Sequence, residues 1–327
     1  MNIRKNRLKI VLGGIAVCMC MACGGSDTKD YWGDTSNGGK EEPTENPNAS
    51  KPRYIWIDAA ANFPDFANSK ENIARDLALA KDAGFTDIVV DVRPTTGDVL
   101  FKTNIVDQVK FMYAWIGSNY TKVERTATWD YLQAFVDEAR KQGLRIHAAI
   151  NTFVGGNQID GGTGLLYRDQ SKAEWATQMN MQTGIVSVMN TSESTKFFNP
   201  AHPEVQTFLC DLLKDLASYD LDGIFLDRGR FLNLQTDFSE ESRKQFEEYM
   251  GGIRIQNYPN DILAPGASSL PATYPKYLTK WLEFRAKVIY DFICDDFYIP
   301  MKVKEIATVL QVSKEQRREL QEVLDAL

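Results

Sequence analysis

The sequence predicts an α/β fold of the (β/α) TIM-barrel type, truncated to about half a barrel, and three observations carry that expectation. Four short apolar runs alternate with amphipathic stretches at helical spacing, the pattern of a parallel sheet covered by crossover helices. No glycine-rich phosphate-binding turn follows the first run, which disfavours a dinucleotide fold. After Phe292, where a fifth strand is due, the chain reads Asp295-Asp296-Phe297-Tyr298-Ile299-Pro300-Met301 and then turns into charged helical text, while a complete barrel has twice as many strands.

Each element has its own local justification. The first run, Tyr54-Ile55-Trp56-Ile57-Asp58, precedes a helix capped by Asn68 or Ser69, with Ile73, Leu77 and Ala80 on one face and Gly84 as its stop. The second, Ile88-Val89-Val90-Asp91-Val92, precedes a helix carrying Leu132, Phe135, Val136 and Ala139 up to Gly143. The third, Arg145-Ile146-His147-Ala148-Ala149-Ile150, leads through a long loop to a helix opened by Pro203, where Val205, Phe208, Leu209, Leu212 and Leu216 make a wide apolar stripe. The fourth, Gly223-Ile224-Phe225-Leu226-Asp227, precedes helices near Ser239–Met250 and Pro275–Phe292. Runs this uniformly apolar belong to strands buried on both faces.

The polar residues within the runs share one parity. If Asp227 faces inward, so do Phe225 and Gly223; Asp91 then groups with Val89 and Arg93, His147 with Ala149 and Asn151, and Asp58 with Trp56. All are expected at the carboxyl ends of their strands, where barrel enzymes keep their sites. A buried, unpaired carboxylate costs several kcal/mol, on the order of 3–5, so charge at these positions asks for a purpose. Structural alternatives stand beside each residue: an ion pair for Asp91 and Arg93, a hydrogen-bonded core histidine for His147. Aromatic residues of the long loops, Phe101, Tyr113, Trp115, Tyr167 and Trp175, either stack on sugar rings or pack the loops down.

Composition sets the outer bounds. The 327 residues carry a net charge of −7 with 43% hydrophobic and 25% charged residues, a globular balance without the basic face that nucleic acid needs. Only two histidines, His147 and His202, occur, and of five cysteines only Cys210 and Cys294 lie outside the amino terminus. No metal centre, no cofactor and no disulfide framework is expected.

The amino terminus reads as a targeting device. Arg4, Lys5, Arg7 and Lys9 precede an apolar stretch from Ile10 to Ala22, roughly a dozen residues and short of the ~20 that span a membrane. Ala22-Cys23-Gly24-Gly25-Ser26 resembles the lipobox of bacterial lipoproteins, although Cys20 and Met21 depart from the usual pattern; an ordinary signal peptide is the alternative. The organisation expected is a signal peptide over 1–22, lipidation at Cys23, a flexible tether over 23–52, a barrel unit over 53–298 and a helical segment over 299–327. Such a chain would sit extracytoplasmically in the cell envelope, anchored to a membrane by lipid.

The stretches Asp91-Val92-Arg93-Pro94-Thr95-Thr96-Gly97-Asp98, Gly143 to Asn151, Asn199-Pro200 and Asp222-Gly223-Ile224-Phe225-Leu226-Asp227-Arg228 resemble, in order and spacing, glycosyl-hydrolase-like family 10, a barrel family distantly similar to the alpha-amylase clan. The resemblance runs from about Tyr54 to about Phe292 and implies a protein that cleaves or binds a glycan. It implies Asp227 as nucleophile or charge stabiliser, with Asp58, Asp91, Arg93, His147, Asn151 and Arg228 holding substrate. In that clan the general acid comes from the fifth strand, so the acid partner is expected to be missing here. The competing expectation is a glycan-binding lipoprotein, or an inactive fragment, with free sheet edges that favour self-association. Residues 301–327, with Ser313 and Gln316 as a capping box, weakly resemble the amino terminus of the ribonuclease R family. That likeness implies a fusion or a sequence artefact; a plain helical hairpin is the alternative.

Overall fold

A computed structural model describes residues 51–297. The expected signal peptide, Cys23, the tether up to residue 50 and the segment 299–327 lie outside the described residues. Strand β1 (Tyr54–Ile57) is followed by the short helix α1 (Phe63–Phe66) and by α2 (Lys70–Asp82). Ser69 caps α2, its hydroxyl accepting the Asn72 N–H at 3.1 Å, and so satisfies one of the orphan donors of the first turn. Strand β2 (Asp87–Arg93) is buried along its whole length.

Where the sequence promised only a loop, the chain then forms an antiparallel hairpin, β3 (Phe111–Ile116) with β4 (Asn119–Glu124). Helix α3 (Tyr131–Gln142) starts on Asp130, whose carboxylate accepts the Gln133 N–H, and ends at Gly143 with φ 63°, a left-handed angle that glycine adopts without a Cβ clash. Strand β5 (Arg145–Asn151) follows. The long loop after it is also structured: β6 (Val154–Asn157), α4 (Leu165–Arg168), the β7 (Gln178–Met181) and β8 (Gly184–Ser187) hairpin, and β9 (Thr195–Phe197), which pairs back onto β6. Helix α5 (Pro203–Leu216), capped by His202, leads to β10 (Gly223–Asp227), and α6 (Glu240–Tyr249) and α7 (Leu278–Phe297) close the described chain.

Four strands, β1-β2-β5-β10, form one parallel sheet in sequence order, with Trp56 beside Val89, Val89 beside His147 and His147 beside Gly223. Among the described residues the sheet is open, since β1 and β10 each have one neighbour in it. Its outer face, with Ile88, Val90, Ile146, Ala148 and Ile150, packs on Leu77 of α2, Phe135 of α3 and Leu212 of α5 as one buried core. Burial of such side chains stabilises the fold by about 1.5–3 kcal/mol each. A second core joins α6 and α7 through Phe238, Phe246, Trp281 and Phe284, with the Phe246 and Trp281 rings edge to face at 4.9 Å. No described helix is long and apolar enough to cross a membrane.

Candidate functional site

The inner face of the sheet is layered. Nearest the amino-terminal ends, the rings of Tyr54, Trp56, His147 and Phe225 pack together with centroids 5.6–6.1 Å apart. Trp56 is nonetheless 47% exposed, so this layer is open on the β1 side. Above it, at the carboxyl ends, a cavity of about 170 Å³ is lined by Trp56, Asp58, Asp91, Asn151, Asp227 and Arg228, together with Met112 of the hairpin and the Pro94-Thr95 turn. Parallel pairing accounts for the convergence. Asp91 stands beside Ala149, Ala149 beside Phe225, and Asn151 beside Asp227, so all of these side chains leave the sheet on one face.

Each carboxylate is held by backbone. Asp58, one residue past β1, accepts the Ala60 and Ala61 N–H groups at 2.9 and 2.7 Å. Asp91 accepts the Arg93 N–H at 3.2 Å. Asp227 accepts the N–H of Arg228 at 2.7 Å, and Arg228 takes a left-handed backbone angle, φ 49°. That angle costs a residue with a side chain roughly 1–2 kcal/mol, and strain of this kind collects at functional sites. Asn151 donates to the Arg93 carbonyl at 2.9 Å.

Asp91 is the electrostatic centre of the site. Burial raises its pKa, and the negative charges of Asp58 and Asp227 raise it further against the Arg93 and Ala59 N–H groups, so that it reaches about 7. A carboxyl in that range carries its proton at neutral pH for a large fraction of the time, as a general acid must. Among the described residues no group of three or more His, Cys, Asp or Glu side chains is arranged to hold a metal ion.

Two residues expected at this site stand elsewhere. Arg93 is fully buried because a register shift between Asp91 and Arg93 sets it beside Ile150 and turns it off the common parity. Its guanidinium donates to the carbonyls of Asn151, Thr152 and Val154, clamping the end of β5 to β6, and burial lowers its pKa to about 10. It is neither the partner of an Asp91 ion pair nor a group that a ligand can reach. His147 keeps the inward parity but lies low on its strand, 5% exposed, with Nε2 2.8 Å from an Asp87 carboxylate oxygen. The structural alternative holds for it. Of the loop aromatics, Phe101 and Trp175 are core residues, whereas Trp115 is 68% exposed.

The hairpin that brings Met112 to the cavity had a legible signal: Phe111, Tyr113 and Trp115 alternate with Met112 and Ala114, and Gly117 sits at the reversal. Length and loop-like surroundings hid it. Ala60 and Thr95 carry no chemical signal in sequence and reach the site only through the strand ends that present them.

The chain is similar to known proteins at three levels. The model of the family described as glycosyl hydrolase-like 10 matches residues 51–316, running past the described strands and helices into the carboxyl-terminal segment. An S-layer-related protein from Niallia circulans is 30% identical over 258 residues, which are 76% of this chain and 16% of that protein, so the chain spans about a sixth of the relative's length. Among solved structures, alpha-L-fucosidase isoenzyme 2 from Paenibacillus thiaminolyticus aligns with a TM-score of 0.44 and 16% identity over 80% of this chain and 31% of that one. A GH36 alpha-galactosidase from Geobacillus stearothermophilus aligns with a TM-score of 0.39 and 13% identity over 76% of this chain and 27% of its own. With most of its length matched by the family model, the chain belongs to the glycosyl hydrolase-like 10 family.

Proposed function

We propose that this domain hydrolyses glycosidic bonds, with Asp91 as the general acid and Asp227 as the second catalytic carboxylate. The observation that carries the proposal is the buried Asp91 carboxyl, pushed up to about 7 and facing the same cavity as Asp227. Two carboxyl groups in different environments are what glycoside hydrolysis requires: one protonates the leaving oxygen, the other activates water or attacks the sugar. Asp91 and Asp227 lie two strands apart, about 10 Å across the sheet at ~4.8 Å per strand. That spacing exceeds the about 5–5.5 Å of a retaining pair and lies nearer the about 6.5–9.5 Å of an inverting pair, which keeps a water between its carboxyls. Within this reading Asp58, Asn151 and Arg228 hold sugar hydroxyls, and no acid from a fifth strand is needed.

The same proposal places the domain in the cell envelope, held by lipid at Cys23 behind the tether, with the open sheet as the first half of a barrel wall. The outer edges of β1 and β10, which among the described residues pair with no further strand, then offer their backbone groups to a second copy. Cys23→Ser is expected to move the protein from the membrane to the soluble fraction, and persistence in the membrane removes the anchor.

For the chemistry, Asp227→Asn is expected to abolish turnover of a cleaved polysaccharide while binding persists. If wild type binds glycans without cleaving any, and Asp227→Asn changes nothing, the domain is a glycan-binding module instead.

A further inference from the structure

The carboxylate cavity is small. At about 170 Å³ it falls below the ~300–1,000 Å³ usual for a ligand site. It does not end there: Ala60, Thr95 and Met112 also line a second cavity of about 460 Å³ that runs between the hairpin and the loop after β6. One wall carries the rings of Phe111, Tyr113 and Tyr120; the other carries Gln158 and Ser194, both exposed.

The aromatic wall is fixed in place. Tyr113 and Tyr120 stack with centroids 5.4 Å apart and planes 30° apart. The Tyr113 hydroxyl donates to one Asp160 carboxylate oxygen at 2.8 Å, and Lys122 donates to the other at 2.5 Å while lying 3.9 Å over the Phe111 ring. One aspartate on the facing loop therefore ties both strands of the hairpin across the groove. The same contacts neutralise the Lys122 and Asp160 charges against each other, so the groove presents ring faces, an amide and a hydroxyl in place of free charge.

We infer that this groove holds the continuation of a neutral glycan chain, so that the domain takes oligo- or polysaccharide and not a small glycoside. The inference rests on the glycan reading of the carboxylate cavity and adds the length and charge of the ligand. Ring faces suit the C–H faces of sugars, and amide and hydroxyl groups both donate and accept, as sugar hydroxyls do. An anionic polymer finds no unpaired cation among the lining residues. A wall held by Asp160 is already ordered before binding, which lowers the entropy lost on association.

The test uses the full chain and isothermal titration with soluble hexasaccharides of α- and β-linked glucose, of xylose and of N-acetylglucosamine, each against its monosaccharide. At least one hexasaccharide is expected to bind well above its monosaccharide. Tyr120→Ala and, on the opposite wall, Gln158→Ala are each expected to weaken it by about two- to tenfold with the monosaccharide unaffected. Leu79→Ala, an exposed change on α2 away from both cavities, is expected to leave both unaffected. A hexasaccharide held no tighter than its monosaccharide, or indifferent to both wall variants, overturns the groove and leaves the carboxylate site standing. Absence of binding by every sugar removes the glycan reading, and the groove with it.

Discussion

Asp87 and Asp91 lie four residues apart on one strand, point to the same face and are both buried, yet their environments push them in opposite directions. Burial by itself would raise both. At Asp87 the hydrogen bonds from Arg145, Thr86 and His147 outweigh it and hold the carboxyl at about 2. At Asp91 only backbone N–H groups answer, while Asp58 and Asp227 add negative charge, and the carboxyl stands at about 7. The amino-terminal end of the sheet spends a carboxylate on holding strands together, and the carboxyl end leaves one poised to exchange a proton. This is the division of labour expected of barrel strands, with stability at one end and chemistry at the other.

The sharpest way to break this contrast is Asp91→Asn. It is expected to lower turnover of a cleaved glycan by about 10²–10⁴-fold, the usual contribution of an acid–base group, with the thermal transition retained. Undiminished turnover returns the acid to some other residue. The reverse pattern is expected at the other end. Asp87→Ala leaves Arg145 and His147 without their carboxylate and is expected to destabilise the fold by about 1.5–3 kcal/mol, read by denaturant unfolding, with the rate per folded molecule unchanged.

The pH dependence of stability separates the two groups further. Asp91 binds its proton more tightly in the folded chain, so stability is expected to fall as pH rises from about 4 to about 7, by an amount on the order of 4 kcal/mol for this group. Asp87 binds its proton less tightly in the folded chain, so its contribution of roughly 2 kcal/mol is present above about pH 4 and is lost as pH falls toward 2. Urea titrations across pH 2–8 check both, and Asp91→Asn is expected to flatten the upper window alone. Burial also raises Asp98 and leaves a smaller slope of the same sign, so a slope undiminished by the substitution would falsify the assignment of the high pKa to Asp91.

The smallest effect sharpens the lower layer. A Cβ at Gly223 would meet Nδ1 of His147 at 2.9 Å, closer than real side chains approach. Gly223→Ala is therefore expected to cost about 1–3 kcal/mol through overpacking, without changing kcat. Full stability in that variant, seen in the same urea titrations, shows that the His147–Asp87 pair has room to move.

Local patterns were enough for the frame. Ser69, Gly143 and Pro203 punctuate the helices where capping chemistry demands, and the apolar runs, Asp58 apart, lie within the four strands that pair in sequence order. Strict alternation also brought Asp91, Asn151 and Asp227 to one face, because pleating assigns faces from backbone geometry alone. Arg93 escaped that rule through one register shift, which depends on how β2 meets β5 and leaves no trace in the alternation of either strand. His147 obeyed the rule and still missed the site, since parity gives the face but not the height along the strand, and the partner that claims it, Asp87, was not marked as one. The sequence by itself therefore determined the four strands of the parallel sheet, the common face of Asp91, Asn151 and Asp227, and the carboxylates available. Only the tertiary structure decided which carboxylate is paired with an arginine and which is crowded by its own kind, because that depends on charges brought together from strands far apart in the chain.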